Sequence, residues 1–252
     1  MYTNRQPIRD IRGEYLDNTD RFAAFHEHRV DPNHSVRHDE EHPLAVIHLA
    51  PKLAFSKAPT RFPVPELLER EVRLHSASKR PHHPKMMADR VTSTTDPAPS
   101  RGKGGREINL YENAVVEIIT GRAAYKKGDD YFISNNSLVN GVTGNLATIL
   151  SLLADRRQDQ NVLVTATYLG FDGARFNPDR PTSPITADHI QTPVLSFSGP
   201  GSTEDEVPPT YDLRTEYVKE LFRPLFHSIG HENVSMDIPE TIELPDVSTG
   251  EQ

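Results

Sequence analysis

NLYENAVVEIITGRAAY (Asn109–Tyr125) and the two segments that follow it decide the fold. Apolar and polar residues alternate through Glu107–Tyr111 and again through Ala114–Thr120, the period of strands with one face buried. The next segment, SLVNGVTGNLATILSLLADRR (Ser137–Arg157), changes to a helical pattern. Leu146, Ile149, Leu150, Leu152 and Leu153 carry it, although Gly141 and Gly144 weaken it. NVLVTATYLGFDGARF (Asn161–Phe176) opens on the strongest strand signal of the chain. Its β-branched and aromatic residues with few polar breaks suit a central place in a sheet. Two strands, a long apolar helix and a third strand predict a sheet with a helix packed across it.

Outward from this segment the signals thin. Asn18–Val30 suits a short helix, with Asn18 or Thr19 as N-cap, Phe22 and Phe25 on one face, and Asp31-Pro32 as its stop. LAVIHLAPKLAF (Leu44–Phe55) reads as a strand broken or bent at Pro51, because proline cannot donate to a central ladder. PELLEREVRLH (Pro65–His75) reads as a helix with proline in its first turn. Ser76–Arg106 is expected to be a mobile loop. Gly121-Arg122 and Lys126–Asp130 are turn signals, and TPVLSFS (Thr192–Ser198) is a further strand. Asp212–Ile229 predicts a helix with Leu213, Tyr217, Leu221, Leu225 and Ile229 on one face, kinked at Pro224.

Together these predict an α+β domain over 42–231: a mixed, mostly antiparallel sheet, helices near 65–75, 137–157 and 212–229, and a basic loop at 76–106. Residues 1–41 are expected to be an N-terminal helix and a histidine-rich linker, partly disordered, and 232–252 an acidic disordered tail.

Composition sets bounds. The chain has 252 residues, 35% of them apolar, with 21 prolines against 14 glycines, and a mean hydropathy of -0.59. An ordered centre with long irregular connections is expected. The absence of cysteine excludes disulfides and thiolate metal sites. MYTNRQPIRD (Met1–Asp10) lacks a secretory apolar region, and Leu44–Phe55 is too short to span a bilayer, so a cytoplasmic protein without membrane contact is expected. Charge is uneven within a net of -8. Residues 70–106 hold nine bases and three acids, and 201–252 hold twelve acids and three bases.

The order of motifs resembles one family. VIHLAP with AF (Val46–Pro51, Ala54-Phe55), YENAVVEIITGRAAY (Tyr111–Tyr125), VTATYLGFDGARF (Val164–Phe176), IQTPVLSF (Ile190–Phe197) and LFRPLFHSIG (Leu221–Gly230) carry the likeness, over about residues 20–231. It resembles the C-terminal region of prokaryotic DNA-binding or ATP-binding proteins whose N-terminal half is a Schlafen-AlbA-type domain. RFAAFHEHRV (Arg21–Val30) resembles the helix that closes that domain, and His48, Leu49 and Pro51 match the strand that follows. The AlbA-type domain itself has no counterpart in the chain, which starts about where that domain would end. A truncated frame, a split gene or a stand-alone subunit would account for this. The resemblance implies a non-catalytic accessory module of a DNA-associated regulatory protein. It would act through an AlbA-type partner encoded nearby or through self-association, with no cofactor and no catalytic residue.

The alternative is non-specific nucleic-acid binding through 70–106, with Arg80, Lys85, Arg101, Lys103 and Arg106 on phosphates. RGKGGR (Arg101–Arg106) is flexible but carries no interleaved aromatics and is not a P-loop, since Lys103 lacks a following Ser or Thr. A solvated charged loop in an otherwise acidic protein is the favoured reading of it. Phe222 and Phe226, i and i+4 on a face rotated from the leucine stripe, could cover a partner or fill a core.

Other candidates reduce to simpler readings. His26-x-His28, His34, His38, His42 and His82-His83 are dense, but Asp31-Pro32 breaks the helix that metal spacing would need, so no metal site is assigned and a solvated linker is expected. His48, inside an apolar strand, is expected to be a hydrogen-bonded core residue. Gly170-Phe171-Asp172-Gly173 reads as a tight turn before it reads as a ligand loop. Ser137, Ser151 and Ser196 have no triad setting, and Asp129-Asp130 fits turn chemistry.

Overall fold

A computed structural model describes residues 17–31, 42–69, 84–95, 104–155, 161–176, 183–197, 210–212, 215–230 and 236–243. The strands are β1 (Leu44–Pro51), β2 (Lys85–Met86), β3 (Arg90–Thr95), β4 (Arg106–Tyr111), β5 (Val116–Thr120), β6 (Ala124–Lys127), β7 (Asp130–Ile133), β8 (Val162–Leu169), β9 (His189–Gln191), β10 (Leu195–Phe197), β11 (Thr210–Asp212) and β12 (Thr241–Glu243). The helices are α1 (Asn18–Val30), α2 (Val64–Glu69), α3 (Asn135–Asp155) and α4 (Thr215–His227). The fold is α+β. Its main sheet has eight strands in the order β10-β8-β1-β5-β4-β3-β2, with β9 also on β8. Every ladder in it is antiparallel. β6–β7 and β11–β12 form separate two-stranded ribbons.

Alternation gives the main sheet two faces. On one, Ala45, Ile47 and Leu49 of β1, Ile108 and Leu110 of β4, Val116 and Ile118 of β5, and Val162, Val164, Ala166 and Tyr168 of β8 join the apolar side of α3 and the inner side of α4 in the main core. α3 is long and apolar enough to cross a membrane by length and composition, and 83% of its apolar window is buried here. Its apolarity is accounted for by packing. Phe222 and Phe226, read from sequence as either a partner interface or core, are both buried in the core, and the Tyr168 hydroxyl donates to the Leu221 carbonyl at 2.9 Å. α4 is apolar on two faces because the sheet lies on one side of it while Phe176 stacks on Phe226 at 4.2 Å between centroids.

The opposite face carries α1. Asp17, not Asn18 or Thr19, caps this helix: its carboxylate accepts from Thr19 N–H at 2.7 Å and Asp20 N–H at 2.9 Å. Phe22 is fully buried in a small cluster with Ala50, Ala54, Val115 and Leu163. The helix set apart from the domain on sequence is thus packed on its sheet. Asp17→Ala is expected to destabilise the fold by removing the cap, seen as a lower urea midpoint with an unchanged slope.

Several expectations change in detail. Pro51 ends β1 and does not bend it: the strand is flanked by β5 and β8, and proline sits at its last position, before a 3-10 turn at 52–55. The expected loop at 76–106 contains β3, paired along its length with β4; Val91, Thr92, Thr94 and Thr95 are β-branched, and that signal was outweighed by the polar surroundings. Residues 70–83 and 96–103 lie outside the described residues. Met236, expected in a disordered tail, is buried in the main core, and β12 pairs with β11. The turn readings agree with the backbone: Gly128 of the β6–β7 hairpin, Gly170 and Gly173 all have positive φ.

Candidate functional site

Register places one polar row straight across the α1 face of the sheet. Thr165 pairs with His48, His48 with Glu117, Glu117 with Asn109, and Asn109 with Thr92, so β8, β1, β5, β4 and β3 each contribute one residue. α1 crosses this row and adds His26 and Arg29, which are i and i+3 on its inner side. His26, His48 and Glu117 are fully buried.

Glu117 is the centre. Its Oε1 accepts from Arg29 Nε at 2.6 Å and His48 Nε2 at 3.1 Å. Its Oε2 accepts from Arg29 Nη2 at 2.9 Å, Asn109 Nδ2 at 2.9 Å and the Tyr111 hydroxyl at 3.1 Å. Five donors converge on one carboxylate, with arginine bound through two nitrogens. Burial pushes the Glu117 carboxyl up, but the hydrogen bonds from His48 and Arg29 and the charge of Arg29 outweigh it and hold the group well below the usual carboxylate range. Burial alone would lower Arg29; its hydrogen bond and attraction to Glu117 raise it instead. Burial, then the Glu117 charge, pushes the Tyr111 phenol up, so it stays a donor.

The ionised carboxylate fixes every proton on the histidine side. A carboxylate only accepts, so His48 Nε2 carries a hydrogen, and in the neutral ring Nδ1 is then an acceptor. His26 Nδ1, 2.6 Å away, must be the donor. That leaves His26 Nε2 as acceptor for the Thr167 hydroxyl at 2.7 Å. The chain runs one way: Thr167 to His26 to His48 to Glu117. Burial lowers His48, and burial followed by repulsion from His48 and His189 lowers His26 to about 2. Both rings are neutral at neutral pH. Phe25 closes the site edge-on to His48, with centroids 5.0 Å apart.

Chemically the arrangement is closed. Each titratable group satisfies another, and the links from Arg29 to Glu117 and from His26 to His48 bind α1 to the sheet. His48 is a hydrogen-bonded core residue, as its apolar surroundings imply. His26 is not part of a solvated linker: it is buried, while His28 is exposed, because residues two apart on a helix point to different sides. Among the described residues no group of three or more His, Asp or Glu could hold a metal ion.

Sequence reading did not single out Glu117, Asn109, Arg29, Tyr111 or Thr167. One signal was available. Glu117 is the only charged residue in AVVEIIT (Ala114–Thr120), and a lone charge in a buried strand requires a partner. Its partner is 69 positions away, at His48.

Of the proposed phosphate contacts, Lys85 and Arg106 are among the described residues. Lys85 is exposed on β2. Arg80, Arg101 and Lys103 lie outside the described residues. Arg106 corrects the reading: it is 4% exposed, because as the first residue of β4 it shares the inward parity of Ile108 and Leu110. Arg90, also in the basic segment, is tied to Asp89 and Asn109 and stacks over Tyr111.

No family model matches the chain, and no curated protein and no solved structure matches it significantly.

Proposed function

We propose that this chain is a non-catalytic interaction module of a cytoplasmic, DNA-associated protein of the Schlafen-AlbA type. It works through a protein partner, an AlbA-type domain encoded nearby being the one its resemblance implies, or through a second copy of itself. One observation supports the non-catalytic part of the reading. The richest set of acid–base groups on the described residues, His26, His48 and Glu117, is buried and saturated by internal donors and acceptors. General acid–base work needs a group within reach of a substrate proton, and here that reach is used to fix α1. Direct nucleic-acid binding through 70–106 has less support, because Arg106 is buried and Arg90 is partnered.

The test is binding between purified components. The chain and the adjacent AlbA-type protein should co-elute in size-exclusion chromatography and give a saturable calorimetric isotherm. The chain alone should not retard duplex DNA at low salt. Absence of any complex with that protein, together with a monomeric mass by light scattering, would remove the interaction reading. A salt-sensitive shift of DNA by the chain alone would favour the nucleic-acid reading.

A further inference from the structure

Two short segments cross beside the start of β4. Gly104 and Gly105 lead into Arg106, and Gly121 leads into Arg122. Gly104 N–H donates to the Gly121 carbonyl at 3.2 Å, and Gly121 N–H donates to the Gly105 carbonyl at 2.8 Å. The backbones meet so closely that a Cβ on either Gly104 or Gly121 would lie 2.9 Å from the other's Cα. Only glycine fits both sides of such a crossing. Its result is electrostatically odd, since it brings two guanidinium groups near enough to repel each other.

Arg106 is the buried member. Its Nη2 lies 2.7 Å from where a Cβ on Gly141 would stand, so α3 makes room for the guanidinium by having no side chain there. Nε–H and Nη1–H of Arg106 are buried and meet no acceptor. Burial lowers its pKa most and Arg122 lowers it further, to about 10, and among the described residues no carboxylate acts on it. The group therefore remains a cation at neutral pH. A buried cation with unfilled donors is strongly unfavourable unless an anion compensates it. Guanidinium N–H groups are suited to the oxygens of phosphate or sulfate. Exposure of only 4% suits a small anion, and a polymer backbone running along a surface would need more.

We propose that Arg106 and Arg122, brought together by the Gly104–Gly121 crossing against α3 at Gly141, bind a small oxyanion of the phosphate or sulfate class. Binding supplies the negative charge that the described residues around Arg106 do not.

The test uses the full chain with inorganic phosphate and, separately, sulfate, against sodium chloride at equal ionic strength. Phosphate at ten times its dissociation constant should raise the thermal midpoint by about 3 °C or more. The 31P resonance of phosphate should broaden on adding protein. Arg106→Met should abolish both effects. Gly141→Ala should weaken both and still fold, because its Cβ displaces only the flexible end of Arg106. Lys85→Ala, on an exposed strand, should leave them unchanged. A wild-type chain with no response beyond chloride overturns the proposal, as does a full response kept by folded Arg106→Met. Should Arg106→Met not fold, a full response in Gly141→Ala overturns it instead.

Discussion

Glu117→Ala is expected to lower the unfolding free energy by about 4 kcal/mol, the range found when one partner of a buried ion pair is deleted. The substitution removes the acceptor of five hydrogen bonds from Arg29, His48, Asn109 and Tyr111. The cavity is the smaller part of the loss. The greater part is the partly buried Arg29 guanidinium losing the carboxylate it binds through two nitrogens, since it cannot neutralise itself. In urea the midpoint should fall by about 2 M. Glu117→Gln should recover only part of this, because its amide would place N–H groups against other donors. If Glu117→Ala unfolds within 0.5 M of the wild type (about 1 kcal/mol at typical slopes), the carboxylate does not hold α1 to the sheet.

The second large effect is loss of stability in mild acid. The folded-state pKa of His26 is about 2, lowered first by burial, while the unfolded value is about 6.5. Between these values the unfolded chain binds a proton that the folded chain refuses, so stability falls as pH falls below 6.5. From pH 6.5 to 4.5 His26 alone should remove about 2 kcal/mol. His48 is lowered as well and acts in the same direction. Glu117 enters later. Its folded pKa is depressed, so its contribution is intact above the unfolded carboxylate value and is lost only at more acid pH. Urea unfolding at pH 7.5, 6.0 and 4.5 measures the slope, and His26→Gln should flatten it by one proton. A slope unchanged in His26→Gln, or a His26 ring that titrates near 6.5 by NMR, would contradict the neutral buried chain from Thr167 to Glu117.

Both effects arise from residues that sequence reading passed over or took singly. His48 stood out because it interrupts VIHLA, and its surroundings were enough to predict a hydrogen-bonded core position. Glu117 interrupts VVEIIT in the same way. Neither interruption names its partner, because the register that places His48 opposite Glu117 is a property of the assembled sheet. His26 was grouped with His28 by spacing, although a helix turns residues two apart to different sides. Arg106 was grouped with Arg101 and Lys103 as a flexible basic patch. Its alternation with Ile108 and Leu110 already marked it as inward-facing.

The sequence by itself determined the element types over its periodic segments: β1, β4, β5, β8, the long α3, and α4 with its leucine stripe. Short-range periodicity is a local property, and hydrophobic burial imposes it residue by residue. β3 shows the limit, since six polar and β-branched residues make a strand only when β4 is alongside. Tertiary structure alone decided which strands are neighbours and which side of α4 meets a core. It also decided that α1 closes the second face, and that five polar residues from five strands form a row. Those facts depend on contacts between positions far apart in the chain, and their strength comes from water excluded jointly by all the elements.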